Sequence, residues 1–182
     1  MADKKKDTKL KKILEDLRSD DTKQVSKAIK SLEANGNVTV IKPLADGLIN
    51  GVSEKNQKEI VELLSSIKDT SVVADMMDVV EDETYRPIRQ VILSTIWNTK
   101  VDFSGYIDEF VKIAVEGDFL ETLDCLTIIE NMEGPFMEED ILEAQLHLKN
   151  YIEDTAPKDA QKAQLLSEIA LALKDINENL QD

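Results

Sequence analysis

The sequence predicts an all-α fold in which about four helical hairpins follow one another along the chain. Three observations favour this fold. A helical segment returns every 32 to 33 residues, as KAIKSLEANGN, EIVELLSSIKD, QVILSTIWNTK and DCLTIIENMEG. A second amphipathic segment follows each copy. Aromatic residues make up only 4% of the chain while Leu, Ile, Ala, Glu and Lys are plentiful, and this composition favours helices over strands.

The first helix of each hairpin carries three columns of small or apolar residues at positions i, i+1 and i+4, which share one helix face. Cys125 belongs to one of these columns and is therefore predicted to lie in the core. It is the only cysteine, so no intrachain disulfide can form. The columns are Ala28, Ile60, Ile92 and Cys125; Ile29, Val61, Leu93 and Leu126; and Leu32, Leu64, Ile96 and Ile129.

The second helix of each hairpin carries four columns at i, i+3, i+4 and i+7, the apolar stripe of an amphipathic helix. Gln145 is the one polar exception. These columns are also predicted to face the core. They are Ile41, Val73, Ile107 and Ile141; Leu44, Met76, Phe110 and Ala144; Ala45, Met77, Val111 and Gln145; and Leu48, Val80, Ala114 and Leu148.

Capping signals agree with these boundaries. Ser53 and Ser71 can cap the helices that follow them, and Gly36, Gly117 and Gly134 stand where helices should end. Helices are predicted near residues 8–18, 22–34, 38–51, 54–68, 71–81, 85–98, 104–116, 119–132, 137–153 and 158–179.

The two ends of the chain are predicted to differ from the repeats. Residues 1–7 form a basic, disordered tail, and residues 8–182 form a single domain. Within that domain, helix 8–18 caps the N-terminal end, the repeats cover 20–154 and a helix over 157–180 caps the C-terminal end. The last helix could instead be a dimerisation surface, because Leu165, Leu171 and Ala172 add apolar residues outside its core-facing side. We expect a monomer or a weak dimer.

The unit DDTKQVSKAIKSLEANGNVTVIKPLADGLING resembles the HEAT and armadillo-like α-solenoids, through its acidic start, the small residue Ala28, the LEANG turn and the apolar second helix. The resemblance covers roughly Asp20 to Asp154. The fourth unit departs from the pattern by an enlarged turn, NMEGPFMEED, and the arginine and aspartate often found inside such repeats are irregular here. The resemblance implies a right-handed α-α superhelix whose second helices line the concave side.

The net charge of -15 is unevenly distributed. Residues 1–12 contain six lysines, Asp3 and Asp7, a local charge of about +4. The rest of the chain therefore carries a charge of about -19. Because nucleic-acid binding depends on Lys and Arg, no nucleic-acid partner is expected. The N-terminus lacks the apolar core of a signal peptide, and the sequence shows no apolar run long enough to span a membrane. We therefore expect a cytoplasmic protein without membrane contact.

The predicted concave side is rich in carboxylates. A curved wall of carboxylates would attract a basic peptide or a basic protein surface. The alternative is that a chain with 37 acidic residues places them on every solvated face. The inner positions, opposite the apolar stripes of the second helices, are Pro43, Asp75, Glu109 and Glu143; Asp46, Asp78, Lys112 and Leu146; and Asn50, Asp82, Glu116 and Asn150.

Trp97 is a second candidate for partner contact. Its column elsewhere holds polar residues, so its side chain is expected near the surface, and Tyr85 and Arg86 lie at the other end of the same predicted helix. Exposed Trp, Tyr and Arg residues anchor many interfaces. The alternative is that Trp97 packs on the turn that contains Phe103.

No pattern for catalysis is found. His147 is the only histidine, which excludes a multi-histidine metal site, and no motif joins it to Cys125. Phosphate-binding glycine loops and calcium loops are absent from the sequence. We therefore expect a non-catalytic scaffold for protein or peptide binding, without cofactor or metal. The alternatives are an enzyme on a HEAT-like scaffold, similar to a bilin lyase, and a structural protein that self-associates through its last helix.

Overall fold

The computed structural model describes residues 2–35 and 40–180, and every regular element in these ranges is helical. The predicted all-α class is confirmed. Short 3₁₀ turns over Thr70–Val72, Glu83–Ile88 and Ser104–Tyr106 each lead into an α-helix. The α-helices are α1 (Ala2–Leu17), α2 (Thr22–Asn35), α3 (Ile41–Ile49), α4 (Glu54–Ser65), α5 (Val73–Glu81), α6 (Arg89–Ile96), α7 (Ile107–Glu116), α8 (Phe119–Glu130), α9 (Glu138–Glu153) and α10 (Ala160–Leu180).

The helix starts differ most from the sequence prediction in two places. Helix α1 begins at Ala2, so residues 2–7 of the predicted disordered tail are helical; alanine and lysine are good helix formers. Helix α6 begins at Arg89 because Pro87 lacks a backbone N–H and restricts the residue before it, so the preceding segment forms a 3₁₀ turn. Gly36 and the predicted start of the third helix lie outside the described residues.

The chain divides into two compact units, which we call the N-terminal unit (residues 1–99) and the C-terminal unit (residues 100–182). In the N-terminal unit, α2, α4 and α6 pack side by side in chain order, and α1, α3 and α5 form a second row. Helices from the two rows also pack on one another, as α1 on α2, α3 on α4 and α5 on α6. The single domain over residues 8–182 stays a prediction.

The apolar columns account for most of the core. Of their 28 residues, 25 are buried, and the exceptions are Val61, Val73 and Gln145, which are half-buried. Cys125 is fully buried, as predicted. The repeat spacing therefore located the inward-facing side of each hairpin helix correctly.

A buried polar network joins α2 to α4 in the N-terminal unit. The Asn56 side chain is only 1% exposed, and its Nδ2 donates to Ser26 Oγ at 3.0 Å, Glu59 Oε2 at 3.0 Å and the Thr22 carbonyl oxygen at 3.2 Å. Ser26 Oγ in turn donates to Glu59 Oε2 at 2.6 Å. The Ser53 hydroxyl, at the N-cap of α4, donates to Asn56 Oδ1 at 2.8 Å. These bonds satisfy polar groups that would be costly to bury alone.

In the C-terminal unit, α7 packs against α8 and α9, and α10 packs against all three. Phe110 of α7 has no exposed surface, and its ring meets that of Phe103 edge to face, with centroids 6.1 Å apart. Helix α10 buries Leu166, Ile169 and Leu173, whereas Leu171, predicted to lie outside its core-facing side, is exposed.

Lys162 closes the C-terminal end of α7. Its Nζ donates to the carbonyl oxygens of Val115 at 2.6 Å and Gly117 at 2.7 Å, which lie at or just beyond the last turn of α7. A positive charge is favourable there because the helix C-terminus carries partial negative charge. Burial lowers the pKa of Lys162, although nearby Glu121 and Asp118 oppose the shift. This contact ties α10 to the α7–α8 corner.

Candidate functional site

The partner-binding residues predicted from sequence fall in both units, and we take the N-terminal unit first. Tyr85 is only 3% exposed, and its hydroxyl donates to Asp46 Oδ1 at 2.6 Å. Tyr85 is therefore not the exposed interface anchor that the sequence suggested. Its ring is part of the core, and its hydroxyl orients Asp46, which is half-buried.

The hydrogen bond from Tyr85 to Asp46 affects the titration of the Tyr85 hydroxyl. Burial raises the pKa of Tyr85 to about 12, with a further contribution from the hydrogen bond and charge of Asp46. The folded state holds the phenol proton of Tyr85 more tightly than the unfolded state does. The protonated phenol therefore stabilises the fold fully below the ordinary pKa of 10.0, and this contribution is lost as the pH rises through about 12. The difference in tyrosinate absorbance between the wild type and Tyr85→Phe should show a midpoint near 12.

Asp46→Asn serves as the matched variant for this titration. It keeps a side chain of the same size and removes the negative charge, so the Tyr85 midpoint should fall towards its ordinary value. A wild-type midpoint near 10, or one unchanged by Asp46→Asn, would contradict the contact.

Asp82 and Arg86 have local roles at the start of the third hairpin. The Asp82 carboxylate accepts a hydrogen bond from the backbone N–H of Thr84 at 2.8 Å and caps the 3₁₀ turn. Hydrogen bonding from the side chain of Thr84, and then from its backbone N–H, lowers the pKa of Asp82. Arg86 forms an exposed ion pair with Glu83 at 3.1 Å. Such surface pairs contribute little to stability.

The remaining candidates of the N-terminal unit lie on its surface. Asp78 of α5 is exposed, and Asp75 is half-buried. Trp97, at the C-cap of α6, is 41% exposed, so its expected position near the surface is confirmed. A role for Trp97 in partner contact stays a prediction.

The negative charge of the protein is concentrated in the C-terminal unit. Residues 100–182 contain six lysines, no arginine and 20 acidic residues, a formal charge of -14. Residues 1–99 contain 16 basic and 17 acidic residues, a formal charge of -1. Long-range attraction of a cationic partner therefore comes almost entirely from the C-terminal unit.

Carboxylates crowd together where α7 packs against α9. Burial raises the pKa of Asp140, and the charges of Asp108, Glu139 and Glu143 raise it further. We call these four residues the carboxylate cluster. Asp108, Glu139 and Asp140 lie in the first turn of α7 or α9, where a helix N-terminus favours negative charge, and Glu143 lies in the second turn of α9. Even so, the raised pKa shows that the ionised form of Asp140 is disfavoured in the folded state.

Three predicted acidic residues belong to this unit. Glu143 is exposed and lies in the cluster, Glu116 is exposed at the end of α7, and Glu109 is half-buried. Sequence reasoning missed Asp108, Glu139 and Asp140, because the columns followed only positions opposite the apolar stripes. The pairs of acids at the first turns, DE at 108–109 and EED at 138–140, were the available signal.

The described residues offer little for chemistry. Across residues 2–35 and 40–180, no group of three or more His, Cys, Asp or Glu side chains is arranged to hold a metal ion. A cavity of about 370 Å³ lies in the N-terminal unit beside the N-termini of α2 and α4. Its lining includes Arg18, Ser19, Asn50, Gly51 and Ser53 and contains neither histidine nor cysteine.

None of the described helices combines the length and the apolar character needed to cross a lipid bilayer.

Comparison with known proteins leaves the chain without an assigned family. No family model, curated protein or solved structure matches it. The resemblance to HEAT and armadillo-like repeats therefore depends on the repeat pattern, and the candidate site depends on its own geometry.

Proposed function

We propose that this protein is a non-catalytic, cytoplasmic scaffold of the HEAT-like α-solenoid type, which binds a basic protein or peptide through α7 and α9. The observation that carries the proposal is the carboxylate cluster, in which four acidic side chains share one region of a unit with a charge of -14. The cluster shares Glu143 with the predicted acidic face and adds Asp108, Glu139 and Asp140 to it.

Two features support the solenoid type. The apolar columns repeat with spacings of 32 to 34 residues, and 25 of their 28 residues are buried. In the N-terminal unit, the first helices of the hairpins form one row and the second helices another. Stacked hairpins of this kind present extended surfaces for binding.

The electrostatics of the cluster favour a cationic partner. Burial is the main reason that the pKa of Asp140 is raised, and repulsion from the nearby carboxylates of Asp108, Glu139 and Glu143 adds to it. A lysine or arginine placed beside the cluster would stabilise the ionised form. Binding would therefore relieve repulsion, and the field of the whole unit would accelerate the encounter.

The test measures the affinity of a fluorescein-labelled peptide of lysine and leucine, with leucines at i, i+3, i+4 and i+7, by fluorescence anisotropy. The variant Glu139→Gln/Asp140→Asn/Glu143→Gln removes three charges from the cluster and should weaken binding about tenfold at low salt. Raised salt should weaken wild-type binding as well.

The control removes the same amount of charge from the N-terminal unit, with Asp75→Asn/Asp78→Asn/Glu81→Gln in α5. This variant should change the affinity by about twofold or less, because its charges lie outside the proposed site. Equal losses in the two variants would show that binding follows total charge, and the cluster would then not be the site.

A further inference from the structure

Helix α9 exposes two leucines on the side opposite its core-facing stripe. Ile141, Ala144 and Leu148 are buried, whereas Leu142 is 56% exposed and Leu146 is 50% exposed. Leu142 and Leu146 lie one turn apart, so their side chains are neighbours on the helix surface. Together they form an apolar ridge that no described part of the protein covers.

Acidic residues flank the Leu142 end of this ridge. Glu138, Glu139 and Glu143 are exposed and lie within one turn of Leu142. The 36 residues between Lys112 and Lys149 contain ten acidic residues and neither lysine nor arginine. Lys149, which lies one turn beyond Leu146, pairs with Glu153 at 3.8 Å. The ridge therefore borders a strongly negative surface.

The charge of this surface decides which occupant fits. A second copy of the C-terminal unit would bring another charge of -14 against the first, so self-association through the ridge is disfavoured. A segment with apolar residues along one side and lysine or arginine on both flanks complements the leucines and the carboxylates at once.

Helix α8 provides an internal comparison. It also exposes two leucines, Leu120 at 52% and Leu123 at 38%. Around Leu120, however, Glu121 is buried and Asp124 is half-buried, so the N-cap residue Asp118 is the one exposed acid of this turn, whereas α9 has three exposed acids beside Leu142. Charge complementarity therefore favours α9 over α8.

We propose that Leu142 and Leu146, with Glu138, Glu139 and Glu143 beside Leu142, dock a basic amphipathic helix of a partner protein. The apolar side of that helix packs on the two leucines, and its lysines or arginines face the carboxylates. This inference rests on the proposed function and deepens it, because it specifies the partner as amphipathic and helical as well as basic.

The experiment compares two matched pairs of exposed leucines with the labelled lysine–leucine peptide. Leu142→Gln/Leu146→Gln should weaken binding about tenfold or more, because buried apolar anchors dominate most interfaces. Leu120→Gln/Leu123→Gln should change it about twofold or less. All four leucines are at least 38% exposed, so both variants should keep the wild-type circular dichroism and melting temperature. A peptide of the same composition with scrambled leucines should bind the wild type more weakly.

Each other outcome overturns a specific statement. If Leu142→Gln/Leu146→Gln binds as tightly as the wild type while the cluster variant is weakened, the leucine ridge is not the docking surface and the proposed function stands. If the loss occurs in Leu120→Gln/Leu123→Gln instead, the docking surface is on α8. If neither the leucine variants nor the cluster variant loses affinity, both the inference and the proposed function are overturned.

Discussion

Replacing Phe110 with alanine is expected to lower the free energy of unfolding by about 4 kcal/mol. Phe110 has no exposed surface, and its ring packs edge to face on Phe103. The substitution removes the apolar ring from α7 and leaves a cavity where α7 packs against α8, α9 and α10. The loss combines the transfer free energy of the ring with the cost of the cavity.

Urea unfolding followed by circular dichroism measures this effect. Lys112→Ala, at an exposed position of the same helix, serves as the control and should change the stability by about 0.5 kcal/mol or less. A loss below about 1 kcal/mol for Phe110→Ala would mean that the site is solvated or able to collapse, contrary to the described packing.

Asn56→Ala is expected to cost about 3 kcal/mol in the N-terminal unit. The substitution removes the donor that Ser26, Glu59 and the Thr22 carbonyl share, and it leaves the buried Ser26 hydroxyl and the half-buried Glu59 carboxylate without that partner. Such groups lose their hydration without compensation. Gln57→Ala, an exposed neighbour on α4, should leave the stability within about 0.5 kcal/mol of the wild type.

The pH dependence of the Asn56→Ala effect follows from Glu59. Hydrogen bonds from Ser26 and then Asn56 lower the pKa of Glu59, although burial opposes the shift. A carboxylate with a lowered pKa contributes stability above its ordinary value of 4.5, and that contribution is lost as the pH falls through the folded-state pKa. The stability difference between wild type and Asn56→Ala should therefore narrow in acid. A difference that is constant from neutral to acid pH would contradict a charge-assisted bond between Asn56 and Glu59.

The helices and the core were predictable because helix geometry fixes the spacing of buried residues. Apolar residues at i, i+3, i+4 and i+7 indicate an amphipathic helix with one buried side, and the pattern is unambiguous when it recurs in every hairpin. Buried columns therefore required no knowledge of how the helices pack. Val73, one of the few half-buried members, is the first residue of α5.

The candidate site was less predictable because it depends on contacts between distant residues. The Tyr85 hydroxyl donates a hydrogen bond to Asp46, which lies 39 residues earlier, and no local sequence pattern predicts that bond. The carboxylate cluster likewise forms only because α7 packs against α9. The charge of each unit is counted from the sequence, but the count requires the boundary after Thr99, which the structure provides.

The most direct test of the binding surface is an NMR titration of the ¹⁵N-labelled full-length chain with the unlabelled lysine–leucine peptide near physiological salt. The account predicts chemical-shift changes on α7 and α9, centred on Asp108, Glu139, Leu142, Glu143 and Leu146. Changes centred on Asp75 and Asp78 of α5, or no changes at saturating peptide, would contradict the claim that α7 and α9 bind a basic partner.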